Sequence, residues 1–301
     1  MQKTFILGVG SQKGGTSWLH KQLANNPSID FGFRKEYHVF DAINTDQDLS
    51  NPDDSKQFGK NYRENVIKTV LRAAKDGTLG INEARNRGSR RRALQLAFLD
   101  NVNYYFDYFD YQYLKNPEVQ AVGDITPSYA LLKPKTFQLI KRGLIKRGFT
   151  VKVFFLMRDP VERAWSMARM KKRDMNAKKQ KKFDEFKYLY NLKDNRNERK
   201  SRYEYTIQNL EKVFKEDDIY YDFYERLFTP ESRTRLRQFL KLDLQEFDSN
   251  QIVNASPKSE IIPEELNQHL VNHFHSTYAF MLSRHGDMIT NLWQGYQHFK
   301  P

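Results

Sequence analysis

Apolar residues fall into two rhythms along this 301-residue chain. Residues 5–9, Phe-Ile-Leu-Gly-Val, and Thr150–Met157, Thr-Val-Lys-Val-Phe-Phe-Leu-Met, are short and almost continuously apolar. Runs of this kind, closed by turn residues, mark strands buried on both faces of a sheet. Gly10 ends the first and Asp159-Pro160 the second. Residues 29–33 and Ile219–Phe223 read as two further strands. The other rhythm is helical. Thr16–Ala24 puts Trp18, Leu19 and Leu23 on one face and stops before Asn25-Asn26-Pro27. Residues 137–146, residues 161–170 and Pro230–Leu240 also read as helices. Residues 51–120 are polar and aromatic, with a Tyr/Phe-rich stretch over 104–113, and read as mainly helical excursions. The alternation of strand and helix predicts an α/β protein: a parallel β-sheet flanked by helices, in a single domain over 1–301 that carries 51–120 as a helical insertion.

Composition narrows the function classes. Hydrophobic residues make up 39% of the chain, enough for a sizeable core, which excludes a disordered protein. The absence of Cys excludes a disulfide scaffold, a thiolate metal site and a cysteine nucleophile. No cluster of other residues reads as a metal site. No stretch is apolar for long enough to cross a bilayer. The N-terminal apolar run is shorter than a secretory core and meets a glycine turn and Lys13. A soluble, unprocessed, cytoplasmic protein is therefore expected. Fifty Lys+Arg against 37 Asp+Glu leave a charge of +13, which calls for an anionic partner: nucleic acid, an anionic glycan, a membrane surface or a phosphorylated cofactor.

Three segments carry candidate chemistry. The first follows the first strand: Gly10-Ser11-Gln12-Lys13-Gly14-Gly15-Thr16-Ser17-Trp18. Strand, glycine loop and helix form a P-loop-like arrangement in which backbone N–H groups and the helix dipole face an anion. Gly14 and Gly15 permit close approach, Thr16 and Ser17 offer hydroxyls, and Lys13 supplies a full charge. The lysine precedes the glycine pair, so the Walker A order is not met. The same residues also fit a tight turn with a solvated lysine. The second segment, Met157 to Ser166, sits at the carboxyl end of the long strand, the edge where parallel sheets bind ligands. Arg158 offers a bidentate grip on phosphate, or a pairing with Asp159 or Glu162. Ser166 lies about two helical turns beyond. The third, Arg34-Lys35-Glu36-Tyr37-His38-Val39-Phe40-Asp41, holds a carboxylate able to act as general base. His38 would share its strand face if the chain stays extended; from the residues alone, a salt-bridged surface Glu beside a satisfied His is the favoured reading.

Lys-Gly-Gly-Thr-Ser-Trp-Leu together with Arg-Asp-Pro-Val-Glu-Arg-Ala-Trp-Ser resembles the PAPS-dependent sulfotransferase family, PAPS being 3′-phosphoadenosine 5′-phosphosulfate. The resemblance implies that Lys13, Gly14, Gly15, Thr16, Ser17 and Trp18 bind the 5′-phosphosulfate, and that Arg158 and Ser166 bind the 3′-phosphate. Lys-Glu-x-His-x-Phe-Asp is similar to the motif of the heparan-sulfate, carbohydrate-modifying branch. It implies Glu36 as catalytic base, supported by His38 and Asp41, with His38 the alternative base. Gly123-Asp124-Ile125-Thr126-Pro127-Ser128-Tyr129 resembles a further segment close to the family's active site, with Asp124 in place of a Glu. Asn254-Ala255-Ser256 resembles a further stretch of the family's C-terminal half, whereas the family's Lys-Gly-Arg loop has no clear counterpart, Lys258 being the nearest candidate. The resemblance spans nearly the whole chain and is dense only at the motifs.

The implied function is transfer of a sulfuryl group from PAPS to a hydroxyl of an acceptor, a glycan and by charge an anionic one, leaving PAP and needing no metal. Two other readings stand beside it: a P-loop nucleotide kinase or NTPase binding ATP and Mg²⁺, and a basic nucleic-acid-binding protein. Two basic clusters, Arg85 to Arg92 and Arg169 to Lys182, fit either a solvated face or the lining of an acceptor cleft. The aromatics from Tyr104 to Tyr113 fit either a sugar-stacking wall or core packing.

Overall fold

Five parallel strands form one sheet in the order β2-β3-β1-β4-β5: β1 is Thr4–Gly10, β2 Ile29–Asp30, β3 Ala121–Ile125, β4 Thr150–Met157 and β5 Ile219–Phe223. The computed structural model describes residues 3–43, 52–76, 87–177, 183–192, 196–242, 244–245, 247 and 261–300. Every residue of β1 is buried, as its unbroken apolar run requires. Its side chains alternate between two cores. Phe5, Leu7 and Val9 face one, and Ile6 the other. β4 does the same, with Val153, Phe155 and Met157 on one side and Phe154 and Leu156 on the other. Helices cover both faces, and the architecture is a single α/β domain.

Two expectations change. β3 was not anticipated as a strand, although it pairs with β1 along its length, Leu7 opposite Asp124. Gly123 and Asp124 interrupt its apolar pattern, yet both are buried. β2 stops at Asp30 rather than residue 33. The Asp30 side chain accepts from the Gly32 N–H at 2.6 Å, and Gly32 turns into left-handed backbone at φ 67°. This Asx turn ends the strand. Other bounds shift outward: Pro134–Ile145 and Pro160–Ala177 each begin at a proline, whose fixed φ suits a first helical position.

Helices Pro52–Lys75, Arg87–Asp100 and Val102–Leu114 lie between β2 and β3 in the chain. The last sends Tyr105, Phe106 and Phe109 into the main core. Tyr104 and Tyr111 stay exposed, so the aromatic stretch is chiefly packing. No helix among the described residues is long and apolar enough to cross a membrane. The connections from β1 and β4 run to opposite sides of the sheet, which opens a crevice at the carboxyl ends of those two strands. The glycine loop leaves β1 there, and Arg158 follows β4.

Candidate functional site

The glycine loop is held by its neighbours before any ligand arrives. Ser11 N–H donates to Leu156 O on β4 at 2.6 Å, and Gly14 N–H to Ser11 O at 3.0 Å. A Cβ on Gly14 would meet Leu156 O and Ser11 Oγ at 2.6 Å. Gly15 has φ 99° and faces Leu227, so a side chain is excluded there on both counts. Helix Thr16–Ala24 starts from Gly15 with no side chain capping it. Its first N–H groups are thus left without a side-chain cap, as a helix start that receives an anion would be. Arg163, fully buried, donates to Gln12 O at 3.4 Å and to Ser201, tying the loop to the helix Pro160–Ala177.

Cations gather around the loop, and their donors are only partly met by acids. Burial depresses the Lys13 ammonium, and Arg173, Arg158 and Arg169 depress it further. Arg158 gives one arm to Glu162 at 2.8 Å and stacks over Tyr224, 4.4 Å from the ring centre. Its Nε is buried without a partner, as are Nε and Nη1 of Arg169. Such donors cost free energy until an acceptor reaches them. Asp159 does not pair with Arg158; it accepts from Tyr278 Oη and Gly295 N–H, both at 2.7 Å. Glu225, accepting from Asp159 N–H, is pushed up to about 7 by burial, which leaves Glu162 as the carboxylate that meets Arg158. Ser166 is buried in the helix that follows. Trp18 is 2% exposed and packs edge-on to Phe228 and Phe247 in the second core. The downstream basic run divides: Arg169 and Arg173 act on Lys13, whereas Lys172 pairs with Glu185 at 3.4 Å and Lys171 lies over Tyr188. Lys178, Lys179, Lys181, Lys182 and Arg85 lie outside the described residues, as do Asn254, Ala255, Ser256 and Lys258.

Glu36 stands beside this loop through an intermediary that the sequence did not single out. Lys35 Nζ lies 2.9 Å from Glu36 Oε1, 3.1 Å from Ser17 Oγ and 3.3 Å from Thr16 Oγ1. His38 is not in extended backbone as expected; its φ is 53°. That turn still brings Nε2 to 3.3 Å from Glu36 Oε2 and Nδ1 to 2.9 Å from Asp41 Oδ2. Ser128 Oγ donates to the same Asp41 oxygen at 2.6 Å, and Arg196 lies 3.6 Å from it. Burial alone would lower His38, but the two carboxylates outweigh it and raise it to about 9. Burial alone would raise Glu36, but His38 and Lys35 lower it to about 2. At neutral pH the set is therefore carboxylate, imidazolium, carboxylate.

Asp124 does not reach this chain of charges. It is fully buried and accepts from Thr126 at 2.6 Å, Tyr129 at 2.9 Å and Tyr105 at 3.0 Å, and burial pushes it up to about 6. Thr126 Oγ1 in turn accepts from Tyr37 N–H at 2.9 Å, and Tyr129 Oη from Val39 N–H at 3.2 Å. Asp124 is thus the anchor that holds the 36–39 segment against the end of β3.

Beside Glu36 opens a cavity of about 500 Å³ lined by Phe33, Arg34, Lys35, Glu36, His38, Arg91 and Arg92. Arg34 and Arg92 both donate to Gln95 Oε1, at 2.6 and 2.9 Å. A neutral amide oxygen, rather than a carboxylate, sits between the two guanidinium groups.

No protein-family model and no curated protein sequence matches the chain. Among solved structures, a sulfotransferase from Alicyclobacillus acidocaldarius aligns over 94% of this chain and 96% of its own, at 16% identity and a TM-score of 0.57. The sulfotransferase domain of the curacin biosynthetic pathway aligns over 84% and 78% at 16% identity, with a TM-score of 0.44. That of the Synechococcus PCC 7002 olefin synthase aligns over 93% and 94% at 14% identity, with a TM-score of 0.49. At such identity the likeness is one of fold, and the first of the three carries it. The class is accordingly an α/β protein with a P-loop-like, sulfotransferase-type fold.

Proposed function

We propose that this chain is a sulfotransferase that moves a sulfuryl group from PAPS to an acceptor hydroxyl, with Glu36 as general base. The observation that carries the reading is Lys35. It joins a carboxylate to the first two hydroxyls of the phosphate-loop helix, so that base and anion site share one cation. The orphaned donors of Arg158 and Arg169 beside Lys13 fit a group with several anionic oxygens, which supports PAPS as donor and PAP as product. The bound donor supplies an activated sulfonate: the acceptor oxygen bonds to sulfur as the bond from sulfur to the phosphate oxygen breaks, and the hydroxyl proton passes to Glu36.

The protein's part is positioning and fixed charge. Lys13 and the loop N–H groups, with Thr16 and Ser17, hold the 5′ end. Arg158 and Ser166 hold the 3′-phosphate, and Arg169 adds its free N–H groups to that anion. Trp18 contributes from behind, as packing under the loop. Glu36, kept ionised by Lys35 and His38, is an acceptor in place rather than a strong base; the proton moves as the forming bond acidifies the hydroxyl. His38 at about 9 is charged at neutral pH, and an imidazolium cannot accept a proton, which favours Glu36 over His38. Asp41 holds His38 by its other nitrogen.

The acceptor enters the arginine-lined cavity. A carbohydrate hydroxyl on a molecule that also carries an anionic group fits Arg34, Arg91 and Arg92. The kinase reading has no matching observation: Thr16 follows Gly15 where Walker A needs its lysine. Glu36→Gln is expected to bind PAP as the parent does while transfer from radiolabelled PAPS to a glycan panel falls by about two orders of magnitude or more. Near-parental transfer would remove Glu36 as the base. Calorimetry with PAP and with ATP–Mg²⁺ separates the donor classes, since only the sulfotransferase reading expects tight binding of PAP without metal.

A further inference from the structure

Lys200 is 7% exposed and lies between the helices Arg196–Arg199 and Tyr203–Glu211. Its ammonium donates to Gln12 Oε1 in the glycine loop at 2.7 Å. An ammonium has three donors, and a buried one ordinarily meets a carboxylate. Among the described residues no carboxylate lies within ion-pair distance of Lys200. Four charges face it from the surrounding elements. Arg163 on Pro160–Ala177 and Arg196 on Arg196–Arg199 repel it; Asp41 on Phe40–Ile43 and Glu36 just before Phe40–Ile43 attract it. Burial dominates, and with the two arginines it pushes the ammonium down to about 7.

The neighbours of Lys13, one residue along the loop, are a different set: Arg173, Arg158 and Arg169. Lys35 meets the far end of the loop at Thr16 and Ser17. Lys200 therefore meets the loop at Gln12, apart from the contacts of Lys35, and brings an ammonium with donors to spare. We propose that Lys200 is a further cationic ligand of the anion held by residues 12–17, taking up a proton from solvent as that anion arrives. The anion is the 5′ end of the donor, so the proposal rests on the donor assignment made above. Lys200 thereby delivers its charge only to a filled loop.

The test uses the intact protein and PAP. Above pH 7 the phosphates of PAP are already ionised, their second pKa being about 6, so proton uptake there reports the protein. Calorimetry at pH 8 in two buffers of different ionisation enthalpy is expected to show uptake approaching about one proton at Lys200. The dissociation constant should rise about tenfold per pH unit above 7. Lys200→Gln should lose most of that uptake and bind PAP more weakly. Lys200→Arg, which is always charged, should keep the affinity and lose the pH slope. An undiminished uptake in Lys200→Gln, or the parental slope in Lys200→Arg, overturns the proposal. Absence of PAP binding to the unmodified protein overturns the donor assignment instead.

Discussion

Glu36, His38 and Asp41 cannot be read as three separate side chains, because each sets the charge of the next. The pairing stabilises the fold over a definite pH window. His38, raised from 6.5 to about 9, contributes in full below pH 6.5, and its contribution is lost as pH rises through about 9. Glu36, lowered from 4.5 to about 2, contributes in full above pH 4.5, and its contribution is lost as pH falls through about 2. Asp41→Asn removes the nearer partner of the imidazole. The His38 ring signal, followed by NMR, should then titrate lower by about one pH unit or more. The loss of stability between pH 6.5 and 9 should flatten with it. An unchanged His38 titration would mean that Asp41 is not what holds the imidazolium.

Elements place these residues, and the loop after β1 is the tightest of them. Gly14→Ala puts a methyl 2.6 Å from the Leu156 carbonyl, which is fixed in β4 and unable to retreat. The variant should lose about 1–3 kcal/mol of stability in urea unfolding and bind PAP more weakly. A variant with parental stability and PAP affinity would show that the loop tolerates more room than its contacts allow. Sequence carried much of this level. β1 and β4 announced themselves because central strands need unbroken apolar runs, β5 at the sheet edge by its aromatic and β-branched residues, and the loop and Arg158 were legible because they sit at the ends of β1 and β4. β3 was hidden because its buried Asp124 is satisfied by Tyr105 and Tyr129, contacts that no local pattern contains. The site followed the same rule. The spacing of Glu36, His38 and Asp41 was readable within one segment, although the turn at His38 was not. Lys200 and Gln12 are 188 residues apart, and the bond from Lys35 to Ser17 crosses between two segments; only the folded sheet edge joins them.

For the whole molecule, part of the positive charge among the described residues gathers in two places, to which the proposed reaction gives different roles. Arg158, Arg169 and Arg173 all act on Lys13 in the loop. Arg34, Lys35, Arg91 and Arg92 line the cavity on the other side of Glu36. Charge on the donor side should govern PAP affinity, and charge on the cavity side should govern the acceptor. Arg92 divides the two cleanly, since among the described residues it donates to the neutral Gln95 and not to a carboxylate. Arg92→Ala is expected to leave PAP binding within about twofold while raising the acceptor KM about tenfold, the worth of one charge-assisted contact of roughly 1.5–3 kcal/mol discounted for solvent. The rise should be larger for a sulfated or carboxylated acceptor than for its neutral counterpart, and should shrink as salt is added. Equal effects on charged and neutral acceptors would assign Arg92 to shaping the wall through Gln95, and the cavity's selectivity would then rest on Arg34 and Arg91.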